Sequence, residues 1–164
     1  MKKGFTLIEF LLYIAIMSIM LLGIMSFILF IVKSRAKSEV IAEVEQQGAN
    51  IMQVITQTIR NAEAINLPTA GSNTSAISID VVDVVDDPTL FDLDAGILRI
   101  KEGTAAYEDI TSDKIIISNL DFYSIPLTET NNIIRIQFDV DYNNPGNNNI
   151  FDYSRTFYGS AGLR

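Results

Sequence analysis

Glu9 is an acidic residue that stands directly before a long apolar run, Phe10 to Val32, in which no residue is charged. A charge inside a bilayer is expensive, since a central Asp, Lys or Arg costs roughly 2.5–3.5 kcal/mol on insertion scales. A carboxylate in a membrane segment is therefore a functional hypothesis by default. The chemistry expected of Glu9 is the pairing of its negative charge with a cation.

Thr6, three residues before Glu9, gives the Glu9 side chain a local hydrogen-bonding role. Thr6 and Glu9 have the Thr-x-x-Glu spacing of a capping box, in which each side chain satisfies an orphan amide of the first helical turn. The residues alone leave both roles open, a helix cap or a charge that pairs with another chain.

A cluster of aspartates is the second candidate for chemistry. Its members are Asp83, Asp86, Asp87, Asp92 and Asp94. Hard cations such as Ca²⁺ prefer carboxylate oxygens, but the segment from Asp92 to Ile97 fails the EF-hand spacing, which needs Asp or Asn at the fifth position and Gly at the sixth. We therefore expect a solvated acidic loop from Asp83 to Asp94, with no metal and no cofactor.

The composition argues against catalysis and against nucleic-acid binding. The chain has no His and no Cys, which removes the commonest general base, the thiol nucleophile and any disulfide. No nucleophile elbow or phosphate loop is present. The formal net charge is −8, and residues 66–164 alone carry −9, a surface that repels phosphate backbones. We expect a protein that is not an enzyme and whose acidic head does not bind nucleic acid directly.

The apolar run is long enough to position Glu9 at a membrane edge. Its 23 residues would form a helix of roughly 35 Å, which crosses the hydrocarbon core of a bilayer. A secretory signal peptide has a shorter apolar core of about 7–15 residues and an Ala-x-Ala-like site. We therefore predict a single membrane span.

A helical pattern continues beyond the span. Apolar residues lie at spacings of three, four or seven, which predicts one buried stripe; they are Val40, Val44, Ile51, Ile55, Ile59 and Ala62. Gly48 is a possible bend, and the helix is predicted to run to about Ile65, before Pro68.

Strand patterns follow the helix and predict an α+β fold, with a C-terminal antiparallel sheet packed on the second half of the helix. Short apolar or alternating runs predict strands at 77–81, 96–100, 114–118 and 120–125. The clearest strand is Ile134 to Asp141, and the Asn-rich turn after it predicts a C-terminal hairpin.

The N-terminus resembles the processing and assembly signal of the type IV pilin superfamily, which includes pilins and type II secretion pseudopilins. The features that carry the resemblance are Lys2 and Lys3, Gly4 before Phe5, and Glu9 five residues into the chain that a cut after Gly4 would leave. The resemblance implies that a prepilin peptidase cuts between Gly4 and Phe5 and methylates the new amine of Phe5. It also implies that Glu9 then pairs with the N-terminus of a neighbouring subunit. A carboxylate and an ammonium in an apolar fibre core are unfavourable alone and tolerable as a pair.

The resemblance also implies partners and a location. The partners are other pilin subunits, the prepilin peptidase, an assembly platform protein and the membrane. Lys33, Arg35 and Lys37 follow the span, so a count of cations weakly favours the opposite orientation. The pilin-type leader instead implies a cytoplasmic N-terminus, in the cytoplasmic membrane first and in an extracytoplasmic filament later.

The helix after the span resembles one subgroup of this superfamily in particular. The run from Glu45 to Gly48, followed by Ile51 to Ala62, resembles the J/W-type minor pilins and pseudopilins, subunits of a tip complex that initiates the filament. Ser26 stands where major pilins usually have a kinking Pro. The expected division is a leader at 1–4, a transmembrane and filament-core helix at 5–32, an amphipathic continuation at 33–66 and a β-rich head at 67–164.

Two other functions fit the same chain. The head could be a pilus-tip adhesin or belong to a DNA-uptake pseudopilin, or the protein could be a single-pass membrane protein that never assembles. The sequence does not identify the machine, the abundance of the subunit or a ligand of the head, and it leaves open whether the loop from Asp83 to Asp94 binds a cation.

Overall fold

A computed structural model describes residues 6–126 and 132–163. The chain divides into two compact units, Met1–Glu39 and Val40–Arg164. The element α1 extends from Leu7 to Asn61 and contributes residues to both units.

The described part of the first unit is a helix that is apolar as far as Val32. All large apolar side chains from Leu7 to Val32 are exposed, with exposed fractions between 41% and 79%. The hydroxyls of Ser18 and Ser26 donate to the carbonyls of Ile14 and Leu22 at 2.8 and 2.9 Å, so these polar groups are satisfied within the helix. In the described part of the chain, α1 is the one helix long and apolar enough to cross a bilayer. A helix that is apolar all round needs a nonaqueous environment.

The second unit is α+β, as the sequence predicts. Its strands are β1 (Ala62–Leu67), β2 (Asn73–Thr74), β3 (Ile77–Val81), β4 (Thr89–Asp94), β5 (Ile97–Glu102), β6 (Glu108–Asp109), β7 (Ile115–Pro126), β8 (Asn132–Tyr142) and β9 (Ser154–Gly162). They form two antiparallel sheets rather than the single sheet expected. The strand orders are β1-β3-β4-β5-β6 and β2-β7-β8-β9.

The core contains the predicted stripe of α1 and the inner faces of both sheets. The buried residues of α1 are Val40, Val44, Gly48, Ile51, Ile55 and Ile59. In β8 every second residue is buried, because successive side chains of a strand point to opposite faces; these residues are Ile134, Ile136, Phe138 and Val140. The strand expected at Ile134 to Asp141 and the C-terminal hairpin are confirmed by β8 and its pairing with β9.

Three local predictions are wrong. The helix ends at Asn61 rather than near Ile65, because the backbone of β1 pairs with β3 and this ladder overrides helical periodicity. The two short strands expected at 114–118 and 120–125 are one strand, β7, whose register shifts around Asn119, where φ is 51°. The acidic loop is shorter than expected, because residues 89–94 form β4.

Candidate functional site

Thr6 and Glu9 form the capping box that their spacing predicts. The backbone amide and the hydroxyl of Thr6 donate to Glu9 Oε2 at 2.9 and 2.8 Å, and the amide of Glu9 donates to Thr6 Oγ1 at 3.4 Å. Phe10 N donates to Thr6 O at 3.2 Å, which closes the first helical turn. Gly4 and Phe5, the two residues of the expected cleavage, lie outside the described residues.

The capping box leaves some hydrogen-bond acceptor positions of the Glu9 carboxylate free. Both hydrogen bonds from Thr6 end on the same oxygen, Oε2, whereas a carboxylate offers about four acceptor positions. Capping and charge pairing can therefore occur together. The geometry makes Glu9 a carboxylate that is held in one orientation at the start of an apolar helix.

Comparison with protein families matches residues 1–25. These residues are a prokaryotic N-terminal methylation motif. The methylation motif includes Gly4, Phe5 and Glu9, and it is a type IV pilin-like prepilin signal. Together with the exposed apolar helix, it indicates a membrane-anchored, pilin-like structural subunit. Comparison with curated proteins and with solved structures gives no match.

A second polar cluster, which the sequence pattern did not reveal, joins the part of α1 in the second unit to β9 and to the residue just before it. Tyr153 Oη donates to Glu45 Oε1 at 2.9 Å, and Arg155 donates to the same oxygen. The hydrogen bond from Arg155 lowers the pKa of Glu45, although partial burial opposes the shift. The hydrogen bond to Glu45 raises the pKa of Tyr153. More than a hundred residues separate the partners along the chain, so no local pattern could have revealed them.

Neighbouring residues of the helix extend this polar contact. Lys114 Nζ lies 3.7 Å from Glu43 Oε2, and Gln47 Nε2 donates to Ser112 Oγ at 3.2 Å. These contacts tie the helix turn around Glu45 to the loops at one end of the second sheet. The cluster has a structural role, because each of its charges has a partner.

The aspartates of the predicted acidic loop are not equivalent. Asp92 and Asp94 lie in β4, where Arg99 binds both: Nη2 is 3.0 Å from Asp92 Oδ2, and Nη1 is 2.6 Å from Asp94 Oδ2. The guanidinium also stacks on the ring of Tyr107, 4.5 Å from its centroid, and the hydrogen bond to Asp92 raises the pKa of Arg99. No group of three or more metal-ligating residues is found among residues 6–126 and 132–163. Asp83, Asp86 and Asp87 remain in a loop, described below.

An open groove of about 980 Å³ runs between α1 and β9. Its walls are helix side chains such as Gln53 and Gln57, together with Phe157 and Leu163 of the C-terminal segment. Arg60 is the one charged residue that lines it. This groove therefore holds no acid–base pair, within the residues that the structure describes.

Proposed function

We propose that this chain is a structural subunit, a minor pilin or pseudopilin, of a type IV pilus-like or type II secretion filament. The observation that carries the proposal is the methylation motif at residues 1–25, which continues into a helix whose large apolar side chains from Leu7 to Val32 are all exposed. Such a helix has two environments that would cover it, a bilayer and the core of a fibre. A subunit that moves from one to the other uses both.

Processing comes first in this proposal. The prepilin peptidase removes residues 1–4 by cutting between Gly4 and Phe5 and methylates the amine of Phe5. Residues 5–32 hold the chain in the cytoplasmic membrane, with the N-terminus on the cytoplasmic side, until an assembly platform protein passes it to the filament. Residues 33–66 carry the helix outward, as helix to Asn61 and as β1 beyond it, and residues 67–164 form the acidic head.

In this proposal Glu9 sets the register of one subunit against the next in the filament. In an apolar fibre, an unpaired carboxylate and an unpaired ammonium each carry a large desolvation penalty. A subunit whose Glu9 meets the N-terminus of its neighbour loses both penalties, whereas a subunit out of register keeps both. The capping box supports this role, because Thr6 holds the carboxylate in place without using all its acceptor positions.

A place in an initiating tip complex is the more specific form of the proposal. It rests on the residues from Glu45 to Ala62, which resemble the J/W-type minor pilins. Glu45 and Gly48 both contact β9, so these residues have a structural use in this fold as well.

The first test is the intact mass of the protein from cells that carry its own assembly machinery. We expect a chain that begins at Phe5 and carries one added methyl group, and an uncut chain for a Gly4→Leu variant. An uncut wild-type chain, or a cut beyond the apolar span, would contradict the proposal.

The second test separates the cap from the charge pair. Glu9→Gln keeps an oxygen that can accept from Thr6 but removes the charge, whereas Thr6→Ala removes the two hydrogen bonds of the Thr6 hydroxyl and keeps both the charge and the bond from the backbone amide. We expect Glu9→Gln to be processed normally and to fail to enter filaments, while Thr6→Ala enters them. Wild-type assembly of Glu9→Gln would leave Glu9 as a helix cap only.

A further inference from the structure

The loop between β3 and β4 exposes three valines to solvent. This valine loop, residues 82–88, contains Val82, Val84 and Val85, which are 72%, 86% and 77% exposed. Single exposed apolar residues are ordinary on a protein surface, but a contiguous group marks an interaction site. The valine loop is therefore a candidate contact surface of the head.

The valine loop is held in one shape by hydrogen bonds. Asp83 Oδ1 accepts from Val85 N at 3.0 Å, and Asp87 Oδ1 accepts from Val81 N at 3.2 Å. Gly103 N donates to the carbonyl of Asp86 at 3.0 Å. A Cβ on Gly103 would lie 2.0 Å from the carbonyl oxygen of Val85, so only glycine lets the neighbouring turn pack this closely. A surface that is already ordered loses little conformational entropy on binding.

The charges of the valine loop identify the kind of partner it fits. None of Asp83, Asp86 and Asp87 makes an ion pair within the described part of the chain. An apolar surface interleaved with three carboxylates fits a segment that is apolar and basic. It repels acidic surfaces such as the rest of the head.

The chain itself carries such a segment just after the apolar span. This basic collar, residues 33–37, contains Lys33, Arg35 and Lys37, all exposed and, in the part of the chain that the structure describes, without an ion-pair partner. Lys33 and Lys37 are four residues apart and share a helix face with Phe30, which is 69% exposed. The same face thus offers an apolar side chain followed by two cations.

We propose that the valine loop of one copy docks on the basic collar of a second copy. The valines pack against Phe30, which lies on the same helix face just before the collar, and the aspartates pair with the cations of the collar. The contact joins two different surfaces, so it is heterologous and each copy keeps one free surface of each kind for the next. This inference rests on the broader form of the proposed function, a filament in which copies of this chain are neighbours, and not on a single place in a tip complex.

The absence of cysteine from the chain allows a direct test. Two full-length copies with different tags are expressed together with the assembly machinery, one with Val84→Cys and the other with Ser34→Cys. Each copy has a single thiol, so a disulfide between the two tags joins two chains. We expect this mixed disulfide to exceed by about tenfold the yield of a control pair in which exposed Asn149→Cys replaces Val84→Cys. A yield equal to the control would overturn the proposal.

A charge exchange tests the electrostatic part. Asp86 is half-buried, and it is the aspartate of the loop whose side chain makes no hydrogen bond among the described residues, so Asp86→Lys changes the charge without removing a side-chain hydrogen bond. We expect Asp86→Lys to reduce the mixed disulfide about fivefold, Lys37→Glu in the partner copy to restore most of it, and Asp109→Lys on β6 to leave it unchanged. If Lys37→Glu does not restore the disulfide, the collar does not bind the loop. If the collar binds anionic lipid and no mixed disulfide forms, the proposal is also contradicted. If the chain is not cut between Gly4 and Phe5, the mass measurement reports that failure separately.

Discussion

The ring of Phe157 occupies the space into which a side chain on Gly48 would extend. A Cβ added to Gly48 would lie 2.2 Å from two ring carbons of Phe157, and the ring also stacks on Phe138 with centroids 5.5 Å apart. The helix α1 continues through Gly48 to Asn61. The missing side chain of Gly48 allows β9 to pack against the helix.

We predict that Gly48→Ala destabilises the second unit in spite of the better helix propensity of Ala. The gain in propensity is about 1 kcal/mol, while forcing the Phe157 ring aside costs about 1–3 kcal/mol. Chemical denaturation of the full chain in detergent should show a net loss of up to about 2 kcal/mol. In the double variant with Phe157→Leu, the loss from Gly48→Ala should shrink. Additive losses would show that the two residues do not compete for this space.

The contact between Glu45 and Arg155 predicts a dependence of stability on pH. Arg155 lowers the pKa of Glu45 in the folded chain, so the folded state favours the ionised carboxylate. The resulting stability is present above the ordinary glutamate pKa of about 4.3 and disappears as the pH falls through the lower pKa of the folded state. The melting temperature of Glu45→Gln should therefore lie below that of the wild type at pH 7, and the two should converge in acid.

Asp139 is a second source of acid sensitivity, and it serves as an internal control for the effect of Glu45. Its pKa is lowered by the hydroxyl of Thr156 and the amide of Asn119, so it also loses stabilising contacts in acid. Because Glu45→Gln leaves Asp139 unchanged, the variant should keep part of the acid sensitivity. A constant difference in melting temperature between pH 7 and pH 3 would contradict the role assigned to Glu45.

Ser124 is a core residue whose hydroxyl finds no partner among the described residues, although its side chain is fully buried. Ser124→Ala should raise the free energy of unfolding by up to about 1 kcal/mol, because it removes an unsatisfied polar group. The matched control is Thr111, whose hydroxyl accepts from Leu98 N at 3.2 Å. Thr111→Val should lower the free energy of unfolding by about 1 kcal/mol. The same sign for both variants in equilibrium denaturation would contradict this assignment.

Two isoleucines of α1 test whether the two units are stabilised separately. Ile55 is fully buried in the second unit, whereas Ile28 in the first unit is 48% exposed. Ile55→Ala should lower the stability of the head by about 2–5 kcal/mol, and Ile28→Ala should leave it unchanged. Hydrogen exchange of the β8 amides in the detergent-solubilised chain measures both effects. Equal loss of protection in the two variants would show that the units unfold together.

Local periodicity made much of this fold predictable. The buried stripe of α1 and the alternation in β8 each follow from side-chain spacing, since the period of an element decides which residues share a face. The capping box of Thr6 and Glu9 was predictable for the same reason, because its partners are three residues apart. The methylation motif is also a local pattern, and it identified the candidate site.

The tertiary structure alone decided the features that depend on distant residues. The end of α1 at Asn61 depends on β3, which offers β1 a backbone partner, and the pairing of Arg99 with Asp92 depends on the register of β4 and β5. The space at Gly48 is taken by Phe157, and Glu45 meets Arg155 only when the helix and β9 pack together. The exposure of the valines of residues 82–88 also depends on distant residues. They are exposed because the chain leaves the sheet at Val81 and closes against Gly103.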